Sequence, residues 1–500
     1  MIETQFSRRH FFFGALLAGA VPTAGFGSAP SLKQLGYKSP NEMLNIAAIG
    51  AGGQAAADIR GCSSENLVAF ADVDDQRAAA TYTQYENASK YKDFRRMLDK
   101  EGGNIDAVII SCPDHMHAFA ANYCMERGKH VYVQKPLTRT VWEARFLTQA
   151  AAKYKVATQM GNQGYSEEGE RIAAEIIWSG EIGDVTEVHC WTDRPVWPQG
   201  IATLPPEEKV PETLDWDLWL GPAAMRPYSS AYLPFSWRAW YDFGSGALGD
   251  IACHVWGAVN MALRLCPPTS IEVVKTEGKN PYTFPKHSVT EIQFPARGSM
   301  PPVKVTWTDA APAPTFRPPD LPEGEPLIGG ADAFGARGNP SGGFSMPARS
   351  GAGGRGAPSG GGGGTSGMLS AKQLGRPVNQ PDGSGAVFVG TKGYLTSDNY
   401  GANIRLLPEA RHKAYQLPSQ VLTRSPGHYR DWIRACKGIA PEACSNFAIA
   451  GPFTEIVQLA SVAVHFEGKL EWDSANMRFT NNAAANELLK PKFRKGWQIG

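Results

Sequence analysis

From residue 45 onward, short apolar runs alternate with longer stretches of helical period. Residues 45–49, 67–73, 105–112, 130–133 and 156–160 read as buried strands, and 54–62, 75–89, 115–127 and 140–154 as the helices between them. Strands that regularly take turns with helices predict βαβ units and a parallel, doubly wound sheet, placing a first domain at 44–161. The pattern then changes. A helix over 167–179 and a strand over 185–191 lead into long aromatic loops, followed by strands near 271–275, 288–294, 302–308, 386–389 and 404–407. This order predicts a second domain over 162–500, of α+β class, with an open, largely antiparallel sheet covered by helices on one face.

Between two of these strands, residues 329–367 hold 16 glycines and almost no aliphatic side chain. Such a stretch buries too little surface to offset its ordering entropy, so it reads as a disordered insertion without chemistry. At the other end, Ser7-Arg8-Arg9-His10-Phe11-Phe12-Phe13 precedes an apolar run rich in Gly and Ala, with no acid after Glu3. This resembles a twin-arginine export signal over 1–30, joined by a linker over 31–43. The run is too short to span a bilayer, so the mature protein is expected to be periplasmic, or otherwise exported, and free of the membrane after leader removal.

Composition narrows the partners. Lys plus Arg total 49 against 48 acids, which leaves no basic excess for nucleic acid. The eight cysteines form no CxxC pair, and only Cys436 and Cys444 are close enough in sequence to suggest a disulfide. His115 and His117 form an HxH, but no third ligand stands at a suitable spacing, so no metal is expected.

The first strand ends in Gly50-Ala51-Gly52-Gly53-Gln54-Ala55, a GxGxxA fingerprint where strand turns to helix. Missing side chains at Gly50 and Gly52 allow a tight turn and close backbone approach to a pyrophosphate, which meets the helix N-terminus. Asp72 ends the next strand, where a carboxylate can accept from ribose hydroxyls and repel a 2′-phosphate. Together they predict NAD in preference to NADP.

Three further segments are Cys112-Pro113-Asp114-His115-Met116-His117, Gly128 through Gln134-Lys135-Pro136, and Gly246-Ala-Leu-Gly-Asp250-Ile-Ala-Cys-His254. With the fingerprint they resemble the glucose-fructose oxidoreductase, inositol dehydrogenase and MocA-like (Gfo/Idh/MocA) family over about 44–500. The closing stretch from Gly427 through Trp497 resembles a branch of that family rich in exported members. The resemblance implies a Rossmann domain followed by the α+β domain. It places Lys135 at the catalytic lysine of a Glu-Lys-Pro motif, with Gln134 in place of the glutamate. It makes Asp250 and His254 the active-site pair, puts Pro113 and His117 beside the nicotinamide, and sets Asn162 near the cleft. Gly53, Gln54 and Gln134 complete the expected cofactor contacts. It also implies a homo-oligomer, a dimer or tetramer.

Oxidising a secondary alcohol needs a base at the hydroxyl, a donor for the developing oxygen charge and a nicotinamide against the carbon. His254 suits the base, Lys135 the donor, and Asp250 orients both, with Lys and His free to exchange roles. Aromatic residues pack around an arginine in 235–244, so Trp237, Arg238 and Tyr241 are candidate sugar contacts, with an ordinary aromatic core as the equal alternative. The expected function is an NAD(H)-dependent oxidoreductase on a sugar, polyol or glycoside. Export implies a tightly held cofactor recycled in place, because little free NAD exists outside the cytoplasm. A redox-neutral glycoside-cleaving enzyme is the second reading, and a non-catalytic sugar or nucleotide sensor the third.

Overall fold

The computed structural model describes residues 42–329, 332–335 and 383–500. The stretch read as an export signal and all but a few residues of the glycine-rich segment lie outside the described residues. Both sheets of the protein belong to the unit Leu44–Gly500.

The first part of this unit is a six-stranded sheet of β1 (Asn45–Ile49), β2 (Asn66–Ala71), β3 (Ser89–Tyr91), β4 (Ala107–Ile110), β5 (His130–Val133) and β6 (Thr158–Met160). Their order is β3-β2-β1-β4-β5-β6, and every pairing is parallel. The crossovers are α1 (Gln54–Gly61), α2 (Asp75–Gln84), α3 (Phe94–Glu101), α4 (Asp114–Met125) and α5 (Val141–Tyr154). Because side chains alternate across a strand, Ile46, Ala48, Phe70 and Ile109 fill one face, while Ala47, Ile49, Val108 and Ile110 fill the other. Both faces are dry, which is why these strands are continuous apolar runs. The hydrophobic pattern predicted neither β3 nor α3. β3 is a three-residue strand at the sheet edge with no buried side chain, so it has little apolar signal to read.

The chain continues through α6 (Glu168–Trp178), β7 (Val185–Trp191), α7 (Trp216–Leu220) and α8 (Gly246–Leu263) into a nine-stranded sheet. Its other strands are β8 (Ser270–Glu277), β9 (His287–Phe294), β10 (Val303–Thr308), β11 (Gly385–Gly390), β12 (Gly393–Asp398), β13 (Ile404–Leu407), β14 (Lys469–Asp473) and β15 (Arg478–Phe479). The order is β13-β12-β11-β7-β10-β9-β8-β14-β15, and only β7 and β10 pair in parallel. Along β9, Ser288, Thr290, Ile292 and Phe294 are buried while the residues between them are half-buried, so one face carries the core. Trp256 of α8 meets Trp307 of β10 edge to face, ring centroids 5.7 Å apart.

The further helices are α9 (Glu409–Ala414), α10 (His428–Cys436), α11 (Phe447–Ala463) and the short α12 (Ala483–Asn486). Although it comes from the far end of the chain, α10 completes the first domain. Its Trp432 and Ile433 are buried with Ile46, Phe70 and Tyr132. Cys436 and Cys444 are free thiols, so the suggested disulfide is not formed. Cys436 packs against the same core as Trp432, whereas the Cys444 thiol meets the Ser166 hydroxyl at 3.1 Å. Among the described residues, no helix is long and apolar enough to cross a membrane.

Candidate active site

The fingerprint turn sits at the carboxyl end of β1. Gly50 has φ +92°, and a Cβ there would stand 2.6 Å from the Ser111 carbonyl oxygen; at Gly52 it would stand 2.6 Å from that of Arg77. Only glycine fits either place. Helix α1 then begins with no side-chain cap at Gly53 and no acid in its first turn. Its first N–H groups and positive dipole end are left for an anion, the donor set a pyrophosphate requires. Asp72 closes the turn: its Oδ2 accepts from the Ala51 N–H at 2.8 Å and its Oδ1 from the Asp74 N–H at 3.0 Å. These residues fit a dinucleotide.

Asp72 therefore both shapes the loop and sets its charge. Asp72→Ser should lower affinity for NAD and shift the NADP:NAD preference by about tenfold, the effect of roughly 1.4 kcal/mol of lost repulsion toward a 2′-phosphate. Titrating both coenzymes into the variant checks this. An unchanged ratio would remove Asp72 from the ribose end.

Behind the turn lies a carboxylate that no sequence motif marks. Asp58 of α1 is fully buried and accepts from Ser111 Oγ at 2.6 Å, Gln54 Nε2 at 3.0 Å, Tyr429 Oη at 2.8 Å and Gln134 Nε2 at 2.9 Å. Burial raises its pKa while these donors hold it down. Gln54 and Gln134, both expected to touch the cofactor, spend their amide N–H groups here, and Gln134 Oε1 accepts the Lys135 N–H at 3.2 Å. An amide at 134 can donate to Asp58, which an ionised glutamate could not.

The catalytic candidates converge from both domains. Lys135 follows β5, and Asp250 lies in the second turn of α8. Lys135 Nζ donates to Asp250 Oδ1 at 2.7 Å and to the Asp250 carbonyl at 2.8 Å, while Arg238 Nε donates to the same Oδ1 at 2.9 Å. Burial alone would raise the Asp250 pKa, but the two cations hold it well below the usual carboxylate range. Arg238 is thus drawn into the cluster, its guanidinium 4.3 Å from each of the Phe235 and Trp237 rings. Tyr241 is not brought there: its ring packs on Phe284 and His465, at 4.6 and 4.0 Å.

His254 is one helical turn beyond Asp250, buried beside the Tyr400 ring at 4.7 Å, and its Nδ1 has no hydrogen-bond partner. Burial, reinforced by the Lys135 charge, pushes its pKa down to about 3. In place the ring is neutral, the form in which an imidazole can accept a proton, and Nδ1 is the nitrogen left without a partner.

Pro113 caps the start of α4. His117 Nδ1 lies 2.8 Å from the Pro136 carbonyl and its Nε2 2.8 Å from that of Cys112; the neutral ring carries one N–H and donates to one of the two. His115 likewise stands between the carbonyls of Phe243 and Trp219 and donates to one of them. The Asn162 Oδ1 accepts from Ser445 Oγ at 2.6 Å, while its Nδ2 is buried without a partner. Asp114, between Pro113 and His115, is a second carboxyl to which the motifs assign no role, buried and accepting from Ser245 Oγ at 3.1 Å.

A parallel sheet with a glycine cradle and a lysine at its carboxyl edge, facing a helix from a domain with a mostly antiparallel sheet, defines a two-domain, NAD-binding fold. The family model described as the Gfo/Idh/MocA oxidoreductase family, NAD-binding Rossmann fold, matches residues 44–162, and that of its C-terminal alpha/beta domain matches 182–279. Over these two stretches the chain is similar to the Gfo/Idh/MocA family. Inositol 2-dehydrogenase 1 of Saccharopolyspora erythraea is 28% identical over 152 residues, 29% of this chain and 45% of that protein. Levoglucosan dehydrogenase of Pseudarthrobacter phenanthrenivorans is 28% identical over 190 residues, 38% of this chain and 40% of that protein. The match thus spans less than half the length of these relatives. Among solved structures, the WlbA dehydrogenase of Bordetella pertussis, in complex with NADH and UDP-GlcNAcA, has TM-score 0.54 at 12% identity, covering 87% of this chain and 99% of that one. A levoglucosan dehydrogenase in complex with NADH and L-sorbose has TM-score 0.50 at 16% identity, covering 87% and 100%. Likeness at these identities speaks for the fold.

Proposed function

We propose that the protein oxidises a secondary alcohol of a sugar, polyol or glycoside with NAD. The observation that carries this reading is the contact of Lys135 Nζ with Asp250 at 2.7 Å, made across the two domains beside the glycine cradle. NAD, when bound, supplies the acceptor for the hydrogen and electron pair leaving the alcohol carbon. Lys135 keeps a further N–H beyond the two spent on Asp250, and that N–H stabilises charge developing on the substrate oxygen. Asp250 fixes the ammonium. His254 offers Nδ1 to a neighbouring hydroxyl, while Trp237, Phe235 and the Arg238 guanidinium form an aromatic and cationic wall suited to a sugar ring. The names of the relatives, inositol and levoglucosan dehydrogenases, support a cyclic polyol or anhydrosugar.

Incubating the protein with NAD+ and a panel of cyclitols, anhydrosugars and glycosides should give reduced nicotinamide absorbance with at least one of them. No reduction with any member would overturn the reading. The arginine pair of Ser7-Arg8-Arg9 supports export with NAD already loaded and held. It also favours a second reading, redox-neutral glycoside cleavage, in which aglycone is released without net reduction of NAD.

A further inference from the structure

The 192–245 segment, which leads from β7 to α8, is fastened to the first domain on both sides of the glycine turn. On one side it pairs with the residues that follow Asp72. Leu214 forms an antiparallel bridge with Asp74, the Asp75 N–H donates to the Thr213 carbonyl at 3.1 Å, and the Asp215 N–H donates to the Val73 carbonyl at 2.9 Å. The Lys92 ammonium donates to the carbonyls of both Thr213 and Val73 and pairs with Asp75 at 2.9 Å. On the other side the segment meets the first turn of α4. The Trp219 carbonyl lies 3.0 Å from His115 Nε2, and the Phe243 carbonyl accepts the His115 backbone N–H at 3.2 Å. Gly221, at φ +49°, packs so closely on α4 that a Cβ there would stand 2.1 Å from Met116 Sδ.

Only α7 separates these two anchorages along the segment. β2 and β4 are the strands on either side of β1. Their ends therefore stand roughly 10 Å apart, twice the spacing of neighbouring strands. From Asp215 to Trp219 a helix rises about 6 Å, and the His115 ring reaches across the remainder. Helix α7 thus runs between the loop after β2 and the loop after β4, the two loops that flank the cofactor turn at the carboxyl edge of the sheet. Both of its ends are held. Asp215 Oδ1 caps it by accepting the Leu218 N–H at 2.9 Å, and Arg494, from the last residues of the chain, donates to the Gly221 carbonyl at 2.8 Å and to Asp217. Between the ends, Trp216 and Trp219 stack with ring centroids 4.8 Å apart. Because the backbone pairing falls on the residues next to Asp72, the segment lies at the end of the groove that Asp72 assigns to the adenosine ribose.

We propose that α7, with residues 213–215 before it, is a clasp over the adenosine end of the dinucleotide groove, so that NAD enters or leaves only when the clasp lifts. The proposal rests on the reading of the glycine turn as an NAD site and gives the held cofactor a physical cause. Lifting breaks the Asp74–Leu214 bridge together with the contacts of Lys92 and Arg494, and it leaves the parallel sheet and the Lys135–Asp250 pair intact, because none of these anchors belongs to either. Closure of this kind slows exchange in both directions.

Release is read by loading the full chain with isotope-labelled NAD and chasing with unlabelled NAD, with a thermal melt alongside. Lys92→Met removes the ammonium that joins Thr213 to Val73, and Arg494→Met removes the fork at the far end of α7. Each should speed release by about tenfold, the effect of one lost charge-assisted hydrogen bond. Uptake should quicken as well, so that affinity moves less than either rate. A merely structural role would lower the melt and leave both rates unchanged. The double variant Asp74→Cys/Leu214→Cys tests the opposite direction, since facing residues of an antiparallel pair stand about 4.5–5.5 Å apart at Cα, within reach of a disulfide. Oxidised with glutathione disulfide, it should release NAD about tenfold more slowly than the same protein after reduction. Unchanged release in both single variants would overturn the clasp; where either does not fold, equal release from the oxidised and reduced double variant would do so. A wild type that takes up no NAD would overturn the cofactor site itself, whereas one that holds NAD behind the clasp and oxidises no alcohol would leave the clasp standing and count against the oxidoreductase reading.

Discussion

Lys135→Ala should cut turnover by about a thousandfold while leaving the protein folded and able to bind NAD. Lys135 is the donor that bridges the domains, and losing one preorganised donor in a water-poor site costs two to three orders of magnitude in rate. The fold should tolerate the change because Asp250 keeps its second cation, Arg238 Nε at 2.9 Å on the same oxygen. A buried carboxylate left with no partner would cost about 3 kcal/mol or more, and this one is not so left. Steady-state kinetics, a thermal melt and a coenzyme titration together check the prediction. A variant with turnover within tenfold of wild type would show that the ammonium does not act on the reacting oxygen.

Gly50→Ala should weaken NAD binding by about a hundredfold and lower stability by about 3 kcal/mol, since a methyl group there both strains a left-handed backbone and strikes a neighbouring strand end. Gly50 stands at φ +92°, with the Ser111 carbonyl oxygen 2.6 Å from where the Cβ would be. Neither is easily relieved, because Ser111 N is itself bonded to the Ile49 carbonyl at 2.9 Å. Gly53→Ala offers the contrast. Its φ of +59° lies in the ordinary left-handed region, and the nearest atom is the flexible Arg77 guanidinium at 3.2 Å, so the loss should be clearly smaller. Calorimetric titration with NAD measures both variants. Equal affinity in Gly50→Ala and wild type would mean that this turn does not cradle the pyrophosphate.

The two variants probe features of different origin. The glycine cradle is written in consecutive residues, and a turn between a strand and a helix imposes its demands locally. The Lys135–Asp250 pair joins positions 115 apart, and it is legible in the sequence only through the family motifs at each end. The alternative roles of the other candidates could not be separated in the same way. Arg238 and Tyr241 are three residues apart in one aromatic segment. Arg238 turns inward to Asp250, whereas Tyr241 packs on His465, more than two hundred positions further on.

Local patterning thus determined the parallel sheet, the second sheet with one covered face and the nucleotide turn with Asp72, each set by the period of side chains along a strand or helix or by the steric needs of one short turn. The lysine, aspartate and histidine of the site were legible only through the resemblance of their motifs to the Gfo/Idh/MocA family. Only the tertiary structure decided the rest. It put Trp432 into the first domain's core and Tyr429 onto Asp58 across 371 positions. It also brought two cations, Lys135 and Arg238, to bonding distance of one Asp250 oxygen, which holds that carboxyl ionised in spite of its burial. Proton affinity follows from solvation and from neighbours brought in from distant segments, and these come into being only when the chain has folded.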